Sequence, residues 1–209
     1  MTRRLTVALT AFAMSACLTS CFNRARFPAY YTLHVPPAGD VPIAAANLPS
    51  LAVREFRSPA YLHQGAIVYR TSPEQVGFYQ YHRWAVDPRE FVTNAMIDCL
   101  RATGRFAEVR AYDGRSGVDF VLSGNLEKLE EVDYEGGVRV EVALSAQITD
   151  PRALKTVWVN AASESARVEK RTVPAVVAEM SRATDLTIQK LLASLTVPTT
   201  SCLNLPLQK

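Results

Sequence analysis

The sequence is poor in the residues that most catalytic and metal-binding motifs require. It has only three histidines, His34, His63 and His82, and no two of them stand at a spacing that builds a metal site. Each lies beside tyrosines or in strand-like sequence, as an ordinary surface or half-buried histidine would. The nine glycines form no phosphate loop, no dinucleotide-binding fingerprint and no G-x-S-x-G nucleophile elbow. The acidic stretch EKLEEVDYE (127–135) lacks the spacing of a calcium loop and reads as a solvated strand edge. Neither charge sign dominates: 23 basic residues stand against 20 acidic ones, so nothing argues for a nucleic-acid partner. Beyond residue 22 no apolar run approaches the roughly 20 residues of a membrane-spanning helix. Repeats and low-complexity tracts are absent too. These lacks point away from an enzyme with local catalytic motifs. They leave open only a hydrolase whose triad is assembled from distant residues.

What the chain does have begins at its first residues, MTRRLTVALTAFAMSACLTSCF. Arg3 and Arg4 form a basic start, and Leu5 to Ala16 is apolar apart from Thr6, Thr10 and Ser15. That length suits the apolar region of an export signal. Leu18-Thr19-Ser20-Cys21 resembles the lipobox of bacterial lipoproteins. The resemblance implies cleavage before Cys21, acylation of its thiol and acylation of the new N-terminus. Cys17, after Met14, Ser15 and Ala16, is the alternative acceptor, and an ordinary cleaved signal with two chance cysteines is the blander reading. Loss of residues 1–20 leaves 189 residues, enough for one domain with a sizeable core. It also removes Arg3 and Arg4, which brings the balance to 21 basic against 20 acidic residues. Each buried methylene contributes about 0.8 kcal/mol, so a stable anchor needs more than one acyl chain, as a triacylated cysteine supplies.

Export places the remaining cysteines, Cys99 and Cys202, in an oxidising compartment where a pair tends to bond. The bond would close a loop of about 100 residues and contribute roughly 4–5 kcal/mol in the chain-entropy description. The alternative is a core thiol at Cys99 with Cys202 unbridged in the tail.

Residues 21–29 read as a short tether reaching at most about 30 Å, residues 30–197 as the folded body and residues 198–209 as a C-terminal tail. Strand composition marks YYTLHV (30–35), LAVREF (51–56), AIVYRT (66–71), VGFYQYHRWAV (76–86) and FAEVRAY (106–112). Between the first two, PPAGDVPIAAANLPS (36–50) reads as an extended loop. Residues 118–134 and 138–149 form a hairpin about Gly136-Gly137, and 154–167 is a further strand. A helix begins behind Asp87 and Pro88, with Glu90 closing a capping box and Gly104 as its stop. Phe91, Val92, Ala95, Met96, Cys99 and Leu100 form its apolar face. A second helix spans 173–195 with a stripe of Val173, Val176, Val177, Met180, Thr184, Ile188, Leu191 and Leu195. One-sided helices and sided strands predict an α+β two-layer domain: a largely antiparallel or mixed sheet with two main helices on one face. Tyrosine and tryptophan crowd the first half. Tyr61, Tyr79, Tyr81 and Trp84 are candidate partner-binding residues, with Trp84 as core beneath the first helix the alternative.

The order of lipobox, YYTL (30–33) and the block from Leu51 to Val109 resembles the ABC-type transport auxiliary lipoproteins, including that of the paraquat-inducible system. The block holds Pro59-Ala60-Tyr61-Leu62, Ile67 to Arg70, Arg83-Trp84-Ala85 and Pro88 in the order that family shows. The proline-rich 36–50 stretch and the Cys202 tail depart from it. The resemblance implies a non-catalytic, cofactor-free lipoprotein. It would serve an envelope transport system whose partners are a periplasm-spanning MCE (mammalian cell entry) protein and inner-membrane permease or ABC components moving lipids or other hydrophobic molecules. Homo-oligomers fit the same picture. In similar lipoproteins an aspartate after the lipidated cysteine retains the protein at the inner membrane. Here Phe22 and Asn23 follow, which implies the periplasmic face of the outer membrane, with the inner membrane as the alternative. An outer-membrane assembly lipoprotein (lipopolysaccharide or barrel insertion) and a periplasmic hydrolase are the competing functions.

Overall fold

A computed structural model of the chain describes residues 26–36, 48–114, 117–134 and 136–195. Among them run the strands β1 (Ala29–Tyr31), β2 (Leu51–Val53), β3 (Ala66–Arg70) and β4 (Val76–Trp84), with a 3-10 turn (Ala60–Gln64) between β2 and β3. Then come helix α1 (Pro88–Ala102), β5 (Val109–Ala111), β6 (Phe120–Asp133), β7 (Val138–Asp150), β8 (Lys155–Arg167) and helix α2 (Val173–Ala193).

The long strands form because their apolar residues alternate. Val138, Val140, Val142, Leu144, Ala146 and Ile148 are all buried on one face of β7. Gly136, at φ 89°, takes the left-handed backbone that the turn from β6 into β7 needs. β7 pairs antiparallel with β6 and with β8. The other edge of β6 is shared: β2 runs parallel to its start (Leu51 opposite Phe120) and β3 parallel to its end (Tyr69 opposite Glu131). β3 and β4 are antiparallel, β1 lies parallel to β4, and β5 lies parallel to β2. The result is one mixed sheet of eight strands.

Both helices bury their apolar stripes on the same face of that sheet, so the α+β two-layer expectation holds. Val92, Met96 and Leu100 of α1 and Met180, Ile188 and Leu191 of α2 join one cluster with Leu122, Leu126, Leu129, Val142 and Leu144. α2 lies along β7 and β8. Asp87 caps α1 by accepting the Arg89 N–H at 2.9 Å, and Gly104 (φ 61°) follows its end. Among the described residues no helix is long and apolar enough to cross a membrane.

Three strands are shorter than their composition suggests. β1 stops at Tyr31 because its partner β4 ends at Trp84, where the chain turns into α1. β2 stops at Val53, and the chain stays beside β6 through single contacts, Arg54 N–H to Leu122 carbonyl and Arg57 N–H to Gly124 carbonyl. Before β5 regular pairing is replaced by an isolated bridge between Leu48 and Phe106.

The acidic stretch corrects the sequence reading outright. It lies on the central strand of the sheet, not on a solvated edge, and Glu130 and Glu131 are 1% and 5% exposed. The cause is a bulge between Leu126 and Lys128 that shifts the inward positions by one. Before it Leu122, Gly124 and Leu126 face the helices. After it Leu129 and Glu131 do.

Candidate functional site

Adjacent residues of a strand point to opposite faces, so Glu130 and Glu131 each need a separate partner set. Glu130 faces away from the helices. Its Oε1 accepts the Arg70 Nε–H at 2.8 Å, and the Tyr61 hydroxyl stands 3.5 Å from Oε2. The 3-10 turn carries Tyr61 over this pair, with the Arg70 guanidinium 5.7 Å from its ring centre, and a second Arg70 nitrogen donates to the Pro73 carbonyl. Burial would lower the Arg70 pKa, but the bond to Glu130, the Glu130 charge and Tyr61 together outweigh it and hold it above its usual value. Burial and the Glu130 charge raise the Tyr61 phenol.

On the helix-facing side the Tyr79 hydroxyl donates to Glu131 Oε2 at 2.8 Å. Burial pushes the Glu131 carboxyl up, against the pull of that bond. Burial, then the same bond, drives the Tyr79 phenol well above its ordinary value. Tyr79 also packs on Tyr69 (5.0 Å between ring centres) and meets His82 edge-on, and His82 Nδ1 lies 3.0 Å from the Tyr31 hydroxyl. Gly77 is required here, since a Cβ would fall 2.3 Å from the Tyr69 ring. Two carboxylates thus lock the 3-10 turn and the β3–β4 hairpin to β6, which makes this end of the sheet stiff.

The face opposite the helices is open and lined by cross-strand rows rich in Ser and Ala, with Gln147 and Lys128 as longer members. Ser123, Gln147 and Val159 form one row, Asn125, Ser145 and Ala161 the next, and Lys128, Ala143 and Ser163 a third. Two hollows lie over these strands. The larger, about 490 Å³, is lined by Ala143, Ala161 and Ser163 with Lys128 and Glu141 as charged walls, while the Glu164 side chain turns to the helix face. Burial would raise Glu141, but bonds from Lys128 (2.9 Å) and Arg139 (3.1 Å) hold it below the usual range. Lys190 of α2 binds Glu164. The smaller hollow, about 290 Å³, is lined by Arg54, Arg57, Asn125, Ser145 and Val159 among others.

Of the residues singled out from sequence, Cys21 and Cys202 lie outside the described residues. Cys99 is buried on α1, in the wall of a small cleft with Val35, Phe91 and Asp98. Tyr61, Tyr79 and Tyr81 are half-buried. Trp84 is only 6% exposed and belongs to the core, because its strand position opposite Tyr31 turns it inward. As a surface anchor for a partner it is therefore corrected to core. Among the described residues no group of three or more His, Cys, Asp or Glu is placed to hold a metal ion. Sequence reading missed Arg70, Glu130 and Glu131. The available signal was two adjacent acids inside a run bounded by Leu126, Leu129 and Val132 with no turn residue among them.

No curated protein matches the chain. Among solved structures it is similar to protein XCC0632 from Xanthomonas campestris, with a TM-score of 0.66, 15% identity, and coverage of 78% of this chain and 92% of that one. It is also similar to an uncharacterised protein of known structure, with a TM-score of 0.58, 16% identity, and coverage of 80% and 95%. At these identities the likeness establishes the shared fold. The family of ABC-type transport auxiliary lipoprotein components matches over residues 31–191. That span takes in every strand and helix from the last residue of β1 to the last turn of α2. The chain belongs to the ABC-type transport auxiliary lipoprotein family.

Proposed function

We propose that this lipoprotein is a non-catalytic docking component of an MCE-type envelope transport system that moves lipids or other hydrophobic molecules. Cys21 carries its lipid, and Phe22 in place of an aspartate sends it to the periplasmic face of the outer membrane. The observation that carries the docking role is the open sheet face. Its three rows, in which small Ser and Ala side chains alternate with longer ones such as Gln147 and Lys128, leave two hollows, while both helices pack on the other side. A stiff, dished, mixed-charge surface suits a partner that arrives preformed, because little ordering entropy is lost on contact. Tyr61 is the aromatic anchor nearest the larger hollow, since its hydroxyl lies 3.5 Å from the carbonyl of Glu127, which lines it. Tyr79, bonded to Glu131 on the helix-facing side, and the half-buried Tyr81 are partner-binding candidates apart from this face. A tether of about 30 Å keeps the body near its membrane, so an MCE partner and its inner-membrane permease must come to it.

Affinity purification from detergent-solubilised envelopes is expected to recover an MCE-type protein. Ala161→Arg, which fills the floor of the larger hollow, is expected to remove that partner while leaving the thermal midpoint unchanged. Recovery of barrel- or lipopolysaccharide-assembly proteins instead would overturn the function. Undiminished recovery with Ala161→Arg would place the docking surface elsewhere.

A further inference from the structure

The first strand and the residues just before it carry two large aromatic side chains that the fold leaves exposed. Phe27 is 88% exposed and Tyr30 63%, and β1 pairs with β4 alone among the described residues. Tyr30 stands opposite Arg83, which is also exposed, and Val86 just beyond the pair is 44% exposed. Arg26 is exposed beside Phe27. From Cys21 to Gly39 the sequence holds Arg24, Arg26 and His34 and no acidic residue, in a chain otherwise close to charge balance. Exposed phenyl and phenol rings interleaved with guanidinium groups are the chemistry of a membrane–water interface. The rings settle at headgroup depth and arginine meets lipid phosphate. Phe27 stands six positions after Cys21, at most about 20 Å away, so a lipid on Cys21 would hold these rings beside the bilayer.

From this we infer that the β1–β4 edge is a second, non-covalent membrane contact. Phe27 and Tyr30 enter the headgroup layer of an anionic phospholipid surface, with Arg26 and Arg83 on its phosphates. The body is then held in one orientation and does not swing on its tether. The inference rests on the Cys21 anchor for its geometry, and its test separates the two. The chain is exported behind an ordinary cleavable signal so that it starts at Phe22 without lipid. The core cluster has no buried member before Leu33, so this change leaves the fold intact. The unlipidated chain is expected to co-sediment with phosphatidylcholine vesicles containing phosphatidylglycerol and to leave pure phosphatidylcholine vesicles largely unbound. Arg26→Gln and Arg83→Gln should each weaken binding about fivefold, and Phe27→Ser with Tyr30→Ser should abolish it. Failure to bind the anionic vesicles, or binding unchanged in those variants, overturns the contact. The lipidated protein gives the second reading, in vesicles with brominated acyl chains. A tryptophan introduced by Phe27→Trp should be quenched strongly and one introduced by Val159→Trp should not; equal quenching overturns the orientation. If palmitate fails to label Cys21 while the unlipidated chain binds anionic vesicles, the anchor assignment fails and the contact stands.

Discussion

Replacing Arg70 by methionine isolates the value of the Arg70–Glu130 pair, because methionine keeps most of the apolar stem and removes only the guanidinium. Glu130 is 1% exposed at its side chain and Arg70 17%, so the carboxylate left behind would have no comparable cation and little water. Breaking a buried pair in this way costs about 3–5 kcal/mol. The Tyr61 hydroxyl at 3.5 Å offers only weak relief, and the partial exposure of Arg70 argues for the lower end, about 3 kcal/mol. For a domain of this size that is roughly a 6–12 °C fall in thermal midpoint. Glu130→Gln leaves the Arg70 guanidinium, which reaches solvent and keeps its bond to the Pro73 carbonyl, and should cost less, about 1–2 kcal/mol. The double variant should be more stable than Arg70→Met alone, since the stranded carboxylate is gone. Urea denaturation of the four proteins closes the cycle. An Arg70→Met penalty below about 1 kcal/mol would mean that solvent screens the pair as it does at an ordinary surface, and the reasoning would fail.

Gly124→Ala puts a methyl 2.4 Å from Cε1 of the buried Phe56 ring and should destabilise by about 1–3 kcal/mol in urea, with partial recovery on adding Phe56→Leu; no loss would show that the ring shifts freely. Burial raises the Glu131 pKa, so its protonated form is favoured in the fold, and the stability this gives is present at low pH and lost as pH rises through the folded pKa. Glu131→Gln lacks that loss. Its stability relative to the parent should therefore climb between the ordinary carboxylate range and neutrality, and a difference flat with pH would refute the assignment. Cys21→Ser should leave an unprocessed precursor without palmitate label, whereas label lost only in Cys17→Ser would move the anchor. Thiol trapping of the exported protein under denaturing conditions should leave Cys99 and Cys202 unalkylated, and alkylation of both would exclude their bond.

The elements that alternate or repeat strictly were legible in the sequence. β7 and α2 follow their apolar periods almost residue for residue, and Asp87-Pro88 marks the start of α1 as its cap requires. The parallel strands were legible in position and not in extent. β1, β2 and β5 each end where a partner distant in sequence ends, and local composition carries no trace of that. The same limit hid the Glu130 and Glu131 braces. A bulge decides which acid turns inward, and Arg70 and Tyr79 reach them only once β3 and β4 are in place. Trp84 shows the reverse error, in which an aromatic that looked like a partner contact proves to be a packing residue.

The shared edge of β6 has a consequence for how the molecule comes into being. β2 and β3 are made first, yet the strand that both lie against begins only at Phe120, and a ribosome delivers the chain from its N-terminus. Until β6 exists, the β3–β4 hairpin and the β2–β5 pair lack the strand that joins them, and Leu51, Val53, Ile67 and Val68, all buried in the finished protein, lack the completed sheet that covers them. β6, β7 and β8 can zip together through tight local turns, so the last-made third supplies the template and the first-made third joins it last. The half of the chain nearest the proposed lipid is therefore the half that waits longest with its apolar side chains uncovered. A helper that shields it during that interval would be of more use here than in a protein that builds its sheet from the front.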